Sequence, residues 1–419
     1  MDRVSASGHV TPAPHPGEEG GATLPEAGGG MLGLVLTGGG ARAAYQVGLL
    51  SWLARRYPTL RVPILTGVSA GAVNAVHLAA HHGTFEQAVM SLRALWSGLS
   101  VDHVFRVDTR SLVSQVGRWG LRLLSGGSRA VPQVQGLVDT SPLRATLTEA
   151  LPVVDGEFTG IEYNLRRGAL HAIGISTTSY GSGRSVAWIQ GNASPWTRPQ
   201  RIATPCRIGV DHVMASAALP LFFPAVKIGN DWYGDGGIRL AAPLSPALHL
   251  GAHRILAVST RMQRPDGSFP RRDTRGYPPP AQVIGVLMNA IFLDLIDQDA
   301  YRLERLNGLI DRLPEDQRMG MRHIDLLVVR PSRDLGRLAR AFEPRLPVLF
   351  RFLTRGLGTR ESRSADMLSM LMFQQDYLSR LIELGEEDAE ARADELAAFV
   401  EPVLARPQQT LAPASGPGA

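Results

Sequence analysis

Residues 32–82 read LGLVLTGGGARAAYQVGLLSWLARRYPTLRVPILTGVSAGAVNAVHLAAHH, a stretch in which short apolar runs alternate with glycine-rich turns. Apolar residues 32–36 and 62–65 predict two strands, and the apolar spacing of residues 41–55 and 72–82 predicts a helix after each of them. A strand followed by a loop, a helix and another strand indicates parallel strands joined by right-handed crossovers. The stretch therefore predicts an α/β fold.

The first turn contains Gly38, Gly39, Gly40 and Arg42 and presents backbone N–H groups at the start of a helix, where an anion is favoured. Its match to G-x-G-x-x-A suggests a dinucleotide site, but no Asp or Glu occurs in residues 31–85 to hold the ribose. The Lys-Ser/Thr pair of a triphosphate-binding loop is also absent. The remaining candidate is a transient oxyanion, which requires a nucleophile facing the loop.

The second turn supplies such a nucleophile. Gly67, Ser69 and Gly71 fit G-x-S-x-G, in which a strained strand-to-helix turn projects the serine hydroxyl and small neighbours allow close packing. The alternative is a pair of tight turns without chemistry. A position between an apolar strand and a helix, next to a glycine loop on the preceding strand, favours the catalytic interpretation.

The base that would activate Ser69 is harder to identify. A triad of the α/β-hydrolase type would use a histidine, but that fold places several strands before its nucleophile, and here only one strand precedes that of Ser69. Asp235, between Gly234 and Gly236, is the alternative, because a carboxylate held against a serine in a dry site can accept its proton. Taken alone, Asp235 is better explained as a turn residue of an Asp-Gly hairpin.

Four blocks of sequence occur in an order that resembles the patatin-like phospholipase family. They are residues 37–50, 67–71, 214–224 and 235–237, within a match that spans residues 32–259. The resemblance implies a three-layer α/β/α fold and a catalytic pair of Ser69 and Asp235. It also implies hydrolysis through an acyl-serine intermediate, with no metal and no cofactor.

The same resemblance assigns the remaining site residues. Gly38, Gly39, Gly40 and the neighbourhood of Arg42 would form the oxyanion hole, and the flanking glycines would allow close backbone approach; these are Gly67, Gly71, Gly236 and Gly237. Two positions depart from the family pattern. Ala43 replaces a usual glycine, and residues 238–243 keep a proline without the usual asparagine before it, which affects how the Asp235 loop is held.

The rest of the chain suggests a domain division. We expect a disordered tail at 1–30, the catalytic domain at 31–260, a linker or surface loop at 261–280, a mostly helical region at 281–405 and a second tail at 406–419. Further strands are predicted at residues 169–176, 185–190, 225–228, 254–259 and 324–329, and further helices at 281–310, 335–352, 364–384 and 387–404.

Composition sets limits on partners. The net charge of +5 is mild and does not demand nucleic-acid binding, and the single cysteine, Cys206, excludes an intrachain disulfide. No secretory signal is recognised at the N-terminus, and the uncharged run at 62–85 contains too many polar residues and glycines for a membrane span. We expect a cytoplasmic protein that acts on a lipid substrate with transient contact to a membrane surface. The sequence gives no basis for an oligomeric state.

Two further questions remain open from sequence. Residues 111–124 form a basic amphipathic pattern that fits an interfacial lid, although a helix packed on the core is the favoured interpretation. The predicted function is that of a serine lipid-acyl hydrolase of the phospholipase A or lysophospholipase type. A lipid-binding or regulatory protein with little turnover is the alternative, and covalent labelling of Ser69 separates the two.

Overall fold

The computed structural model describes residues 30–106, 136, 138–220, 222–262, 295–345 and 366–405. Its strands are β1 Leu32–Leu36, β2 Ile64–Val68, β3 Val153–Val154, β4 Glu157–Phe158, β5 Ala172–Ser179, β6 Ser185–Gly191, β7 Thr197–Arg198, β8 Arg201–Pro205, β9 Val226–Ile228, β10 Asp231–Asp235, β11 Arg254–Val258 and β12 Asp325–Val329. Its α-helices are α1 Ala44–Arg56, α2 Ala70–Ala80, α3 Phe85–Gly98, α4 Val101–Val104, α5 Ser141–Ala150, α6 Thr159–Arg166, α7 Val210–Ser216, α8 Ser245–His249, α9 Leu295–Ile310, α10 Leu335–Ala339, α11 Asp366–Leu371, α12 Gln375–Ala391 and α13 Ala393–Leu404.

Ten of these strands form one mixed sheet in the order β12-β11-β1-β2-β5-β6-β8-β7, with β10 paired to β5 and to β9. The strands β12, β11, β1, β2 and β5 run parallel to one another, as the alternation of strands and helices predicts. Short 3₁₀ turns at Gly40–Ala43 and Gly236–Ile238 follow β1 and β10. The carboxyl ends of β1 and β2 therefore lie side by side at one edge of the sheet.

Both faces of the sheet are covered, because the parallel strands are apolar on both sides. In β1, Leu34 and Leu36 belong to one apolar cluster with α1, α2 and α3, whereas Val35 belongs to a second cluster with α8 and α9. The result is a helix layer on each face of a central sheet. The predicted three-layer α/β/α fold with a helical C-terminal region is confirmed.

The C-terminal region packs directly on the core. Its strand β12 extends the sheet beside β11. A Cβ atom on Gly48 of α1 would lie 1.9 Å from the Ile382 carbonyl oxygen, and one on Gly385 of α12 would lie 2.2 Å from the Tyr45 carbonyl oxygen. These two glycines allow α1 and α12 to approach closely, since any side chain there would meet backbone.

Several predicted boundaries were wrong. The helices predicted at 364–384 and 387–404 break at residues 372–374 and at Arg392 instead. The break predicted near Gly385 does not occur, because this glycine allows close helix packing and does not end a helix. The helix predicted at 335–352 ends at Ala339. The strands β2 and β5 begin two and three residues later than predicted, and β10, which carries Asp235, was not predicted as a strand.

Some predictions lie outside the described residues. These are the two terminal tails before residue 30 and after residue 405, the amphipathic pattern at 111–124, the Pro- and Arg-rich segment after residue 262, and the helix start at 281–294. Within the part that is described, no helix is long and apolar enough to cross a membrane.

Candidate active site

Ser69 occupies a strained turn at the carboxyl end of β2. Its backbone has φ 56° and ψ −131°, a conformation that non-glycine residues rarely adopt, and its side chain is 6% exposed. The flanking glycines are sterically required. A Cβ atom on Gly67 would lie 2.5 Å from the Gly71 carbonyl oxygen, and one on Gly71 would lie 2.2 Å from the Leu36 carbonyl oxygen. The turn therefore has the geometry that the G-x-S-x-G pattern predicts.

A second serine holds this turn. The Ser69 N–H donates to Ser216 Oγ at 2.9 Å, and the Ser216 hydroxyl donates to the Ser176 carbonyl oxygen at 2.7 Å. Ser216 is fully buried at the end of α7. Sequence reasoning did not single it out, although it lies within the 214–224 block that supports the family resemblance. Ser216 fixes the backbone of Ser69 relative to β5.

Asp235 reaches the same place through sheet pairing. Val68 pairs with Ser176 of β5, and Thr177 of β5 pairs with Asp235 of β10, so the end of β2 and the end of β10 flank the same segment of β5. The Asp235 N–H donates to the Ala218 carbonyl oxygen at 3.1 Å. The predicted pair of Ser69 and Asp235, far apart in sequence, is brought together at one edge of the sheet.

The carboxylate of Asp235 is fully buried and partly unpaired. Its Oδ1 accepts the Gly237 N–H at 2.8 Å, whereas Oδ2 has no partner of standard hydrogen-bond geometry among the described residues. Burial raises the pKa of Asp235 to about 7, and hydrogen bonding from the Gly237 N–H and the Ser69 hydroxyl acts in the opposite direction. A Cβ atom on Gly236 would lie 2.2 Å from the Ser176 carbonyl oxygen, so glycine is required beside this carboxylate.

The glycine loop after β1 is anchored on its carbonyl side. The carbonyl oxygens of residues 37, 38 and 39 accept hydrogen bonds from Gln46 Nε2 at 2.8 Å, Thr260 Oγ1 at 2.7 Å and the Arg42 N–H at 3.2 Å, respectively. In a trans peptide the carbonyl and the following N–H point in opposite directions. Three successive peptide planes are therefore oriented so that the N–H groups of residues 38, 39 and 40 face away from these anchors.

The first residue of this loop, Gly38, lies beside the nucleophile. A Cβ atom on Gly38 would be 3.0 Å from Ser69 Cβ and 3.7 Å from Ser69 Oγ. Within the described residues, the N–H groups of Gly38, Gly39 and Gly40 donate no hydrogen bond to the protein. Gly39 and Gly40 have φ values of 149° and 56°, which favour glycine. The loop thus offers free donors next to a serine hydroxyl.

A buried polar network supports the first anchor. Gln46 Oε1 accepts from Asn74 Nδ2 at 2.9 Å, and Asn74 Oδ1 accepts from the Trp96 indole N–H at 2.7 Å. All three side chains are almost wholly buried. Because each amide has both a donor and an acceptor engaged, the network fixes the orientation of Gln46 and through it the peptide plane after Thr37.

Arg42 is placed behind the loop. Its side chain is 2% exposed and its Nε donates to Ser369 Oγ at 2.6 Å, which ties the loop to α11. Its backbone N–H is the donor to the Gly39 carbonyl oxygen. These bonds make Arg42 part of the support of the loop, and its predicted share in an oxyanion hole stays a prediction.

A narrow apolar pocket of about 60 Å³ adjoins Ser69. Aliphatic and aromatic side chains from several elements line it, among them Val73, Trp96, Leu99, Leu143, Phe223 and Phe373. The C-terminal segment closes one side, and the Met370 carbonyl oxygen lies 2.1 Å from where a Cβ of Gly40 would stand. Sequence patterns gave no signal for this contribution from a segment 300 residues away. Among the described residues, no cluster of His, Cys, Asp or Glu is arranged to hold a metal ion.

The family model of patatin-like phospholipase matches residues 34–248, just over half of the chain. This range contains Ser69, Asp235 and the glycine loop. Curated proteins compared by sequence give no significant match.

Solved structures of low sequence identity are also similar. VipD from Legionella pneumophila is 12% identical with a TM-score of 0.34, over 87% of this chain and 67% of that one. Human GIVD cytosolic phospholipase A2 is 12% identical with a TM-score of 0.45, over 90% and 60% of the two chains. The same human enzyme in complex with methyl gamma-linolenyl fluorophosphonate is 14% identical with a TM-score of 0.43, over 90% and 59%. The chain thus spans about three fifths of the human enzyme.

Proposed function

Because the chain belongs to the patatin-like phospholipase family, we propose that it hydrolyses carboxylic ester bonds of phospholipids or related acyl lipids, with Ser69 as nucleophile and Asp235 as base. The observation that carries this proposal is the meeting of three features at one edge of the sheet. They are a strained serine, a buried carboxylate with one unpaired oxygen, and a row of free backbone N–H groups. The proposed reaction uses neither a metal nor a cofactor.

The reaction has two halves. In the first, Ser69 Oγ attacks the ester carbonyl carbon while the Asp235 carboxylate takes the hydroxyl proton, and the tetrahedral intermediate collapses to acyl-Ser69 as Asp235 gives that proton to the leaving alcohol. In the second, water attacks the acyl carbon and passes a proton to Asp235. Collapse then releases the carboxylic acid and restores the Ser69 hydroxyl.

The environment of Asp235 suits this role. With a pKa of about 7, the carboxylate is a much stronger base than an ordinary aspartate and is still substantially charged at neutral pH. Its unpaired Oδ2 is free to accept the serine proton. Burial removes water from the carboxylate and so raises its basicity, and the Ser69 hydroxyl is positioned to donate to it.

The glycine loop would stabilise the oxyanion. The N–H groups of Gly38, Gly39 and Gly40 point away from their anchored carbonyls, and Gly38 lies beside Ser69, where negative charge develops in both tetrahedral intermediates. Gln46 and Thr260 act as positioning residues, because they hold the peptide planes that carry these donors. Such preorganisation costs no rearrangement at the moment of reaction, and one donor of this kind contributes about 10²- to 10³-fold in rate.

The apolar pocket would hold the acyl chain. It opens at Ser69 and is lined by aliphatic and aromatic side chains, so an acyl group bound there presents its carbonyl carbon to the hydroxyl. In this structure its free volume is small, and we infer a preference for short acyl chains or for chains that displace the Met370 segment.

A covalent label and an ester assay test the proposal together. Wild type is treated with a fluorescent fluorophosphonate and assayed on p-nitrophenyl butyrate and on phosphatidylcholine vesicles, beside Ser69→Ala and Asp235→Asn. Matched controls are Ser51→Ala, a buried serine within α1, and Asp299→Asn, a half-buried carboxyl that accepts the Leu244 N–H on the other face of the sheet.

We expect labelling and turnover in wild type and in both controls, with losses of about 10⁴-fold or more in the two site variants. Circular dichroism and thermal unfolding confirm that each variant is folded. A wild-type protein that is neither labelled nor active would contradict the proposal and favour the lipid-binding alternative.

A further inference from the structure

A second and larger cavity, of about 580 Å³, opens at the edge of the sheet formed by the amino ends of the parallel strands, opposite the carboxyl edge where Ser69 lies. It is lined by residues within 58–65, 78–88 and 164–170, and we call it the rear cleft. Val62 precedes β2 and Leu170 precedes the parallel strand β5, whereas Ser69 follows β2. Leu65 of β2 lines the rear cleft and Ser69 lines the pocket, and these two residues lie four positions, or about 13 Å, apart along the strand. The rear cleft is therefore distinct from the candidate active site.

The charge of the rear cleft is one-sided. Arg61, His81 and Arg167 line it, and no acidic residue does so among the described part of the chain. The exposed Arg61 makes no ion pair or hydrogen bond to any described residue. Arg167 donates to the Gly83 carbonyl oxygen at 3.0 Å and lies 5.1 Å from the centre of the Tyr163 ring. Neither guanidinium has a carboxylate partner within the described part of the chain, in contrast to neighbouring Arg166, which pairs with Glu162.

The arginine and histidine side chains that line the cleft present donors, whereas Asn164, which also lines it, has an Oδ1 acceptor without a partner among the described residues. His81 Nδ1 accepts the Gly83 N–H at 3.0 Å, so the neutral ring carries its proton on Nε2. Two guanidinium groups and this ring therefore leave donor atoms, and their complement is an acceptor-rich anion such as a carboxylate or a phosphate.

The remaining wall is apolar. Leu60, Leu65, Leu78 and Leu170 are buried and line the cavity together with the partly buried Phe85. A volume of 580 Å³ lies within the usual range of small-molecule sites. A fully hydrated ion would leave this aliphatic wall in contact with water, whereas a ligand with an apolar body would cover it.

We propose that the rear cleft binds an anionic amphiphile, in which a carboxylate or phosphate group is carried on a short alkyl or acyl chain. Arg61 and Arg167 hold the head group, and the leucine wall holds the chain. This site is separate from the proposed hydrolysis and does not depend on it.

The test is isothermal titration calorimetry with sodium decanoate on the full chain and on Arg61→Gln and Arg167→Gln. Arg166→Gln is the matched control, since this neighbouring arginine already has a carboxylate partner. We expect about tenfold weaker binding for each cleft variant and unchanged binding for the control. Arg61→Lys keeps a charge without the guanidinium fork, and its affinity should fall between those of wild type and Arg61→Gln.

Decanoate also fits the pocket at Ser69, so a variant that fills this pocket separates the two sites. Leu99→Trp serves this purpose, or Val73→Phe if the first variant is unfolded. Binding that persists in the filled variant and weakens with Arg61→Gln belongs to the rear cleft. Equal affinity of wild type and Arg61→Gln in that background overturns the proposal.

The chemistry of the ligand is tested in parallel with decyl phosphate, decanol and inorganic phosphate. Binding of decanoate or of decyl phosphate supports the site, and the tighter of the two identifies the preferred head group. Decanol lacks the charge and inorganic phosphate lacks the chain. Both should therefore bind at least tenfold more weakly, a difference of about 1.4 kcal/mol in binding free energy. If either matches its amphiphilic counterpart, the proposal fails.

Discussion

The two edges of the central sheet are organised differently. At the carboxyl edge, a pocket of about 60 Å³ adjoins polar groups that are nearly all buried and held by a second group. At the opposite edge, the rear cleft of about 580 Å³ is open. Its arginines extend from exposed positions and have no carboxylate partner among the residues that the structure describes. A site that breaks a covalent bond needs reacting groups in fixed positions, whereas a site that only binds an anion can use mobile cationic side chains.

The glycine loop illustrates the first kind of site. Each carbonyl from residue 37 to residue 39 has its own donor, and Gln46 is held in turn by Asn74 and Trp96. Within the part of the chain that the structure describes, no comparable network supports Arg61 in the rear cleft. Substitutions at the carboxyl edge should therefore change turnover and leave anion binding nearly unchanged. Those at the opposite edge should change anion binding and leave turnover nearly unchanged.

The largest effect is expected when two anchors of the glycine loop are removed at once. Gln46→Leu combined with Thr260→Val frees the carbonyls of residues 37 and 38, so the donors that follow them lose their orientation. We expect kcat to fall about 10³-fold in the double variant and about 10²-fold in each single one, with KM nearly unchanged, because these donors act mainly on the transition state.

Matched controls exist for both substitutions. Gln190 is a buried glutamine that accepts the Ile208 N–H away from the site, and the hydroxyl of buried Thr66 has no partner among the described residues. Gln190→Leu and Thr66→Val should leave kcat within a few fold of wild type. Decanoate binding in the rear cleft should be unaffected throughout. A double variant with normal kcat would show that the loop needs no side-chain anchors.

A second difference between the edges is their response to pH. Asp235 must be charged to accept the serine proton, and its pKa is raised to about 7, so kcat/KM should fall about tenfold for each pH unit below that value. Half of the carboxyl groups are charged at pH 7 and about one in a hundred at pH 5, so the loss between these two pH values is about 50-fold. Above pH 8 the rate should level off. Release of acid from a soluble ester, followed by chromatography between pH 5 and pH 9, gives the profile.

Arginine stays charged over this whole range. Binding in the rear cleft should therefore vary only with the ionisation of decanoate and, at the acidic end, with that of His81, whose pKa is lowered by burial. The folded state must be monitored at each pH by circular dichroism. A rate profile that stays flat down to pH 5 would indicate a base with an ordinary carboxylate pKa and would argue against burial as the source of its strength.

The sequence indicated Ser69 and the glycine loop as candidate site residues because each lies in a short motif with fixed spacing, and it indicated Asp235 only through the family resemblance. Their catalytic roles stay predictions. Ser69 needs small residues two positions away on either side, and the clashes at Gly67 and Gly71 show the steric reason. The alternating strands and helices before residue 82 also determine the parallel sheet. These features depend on contacts between near neighbours, which a sequence pattern records directly.

The supporting residues were not predicted, because their partners are distant. Thr260 lies 222 positions from Gly38, and Ser216 lies 147 positions from Ser69. No local pattern relates such pairs. Gln46 offered a weak signal as an uncharged polar residue among the apolar positions of α1, but only the fold shows that it faces the glycine loop. The rear cleft had no sequence signal either, since three separate segments line it.

A smaller effect is expected at Trp96, which contributes to both the pocket wall and the polar network. Trp96→Phe keeps an aromatic wall but removes the indole N–H, leaving Asn74 Oδ1 without its donor and Gln46 less firmly held. We expect kcat to fall about tenfold, and by the same factor for butyrate, hexanoate and octanoate esters, because the loop and not the pocket is disturbed. A loss that depends on chain length would assign Trp96 to the pocket alone.

The smallest effect concerns the pocket itself. Leu99→Ala removes three carbon atoms from the wall of a narrow cavity and leaves the loop network intact. The ratio of kcat/KM for an octanoate ester to that for a butyrate ester should rise about fivefold, because the longer chain gains apolar contact in the enlarged space. The butyrate rate and the decanoate affinity of the rear cleft should change little. A uniform decrease in kcat/KM for both esters would mean that the acyl chain lies elsewhere. The expected change in the ratio would show that the residues that determine acyl-chain length differ from those that stabilise the oxyanion.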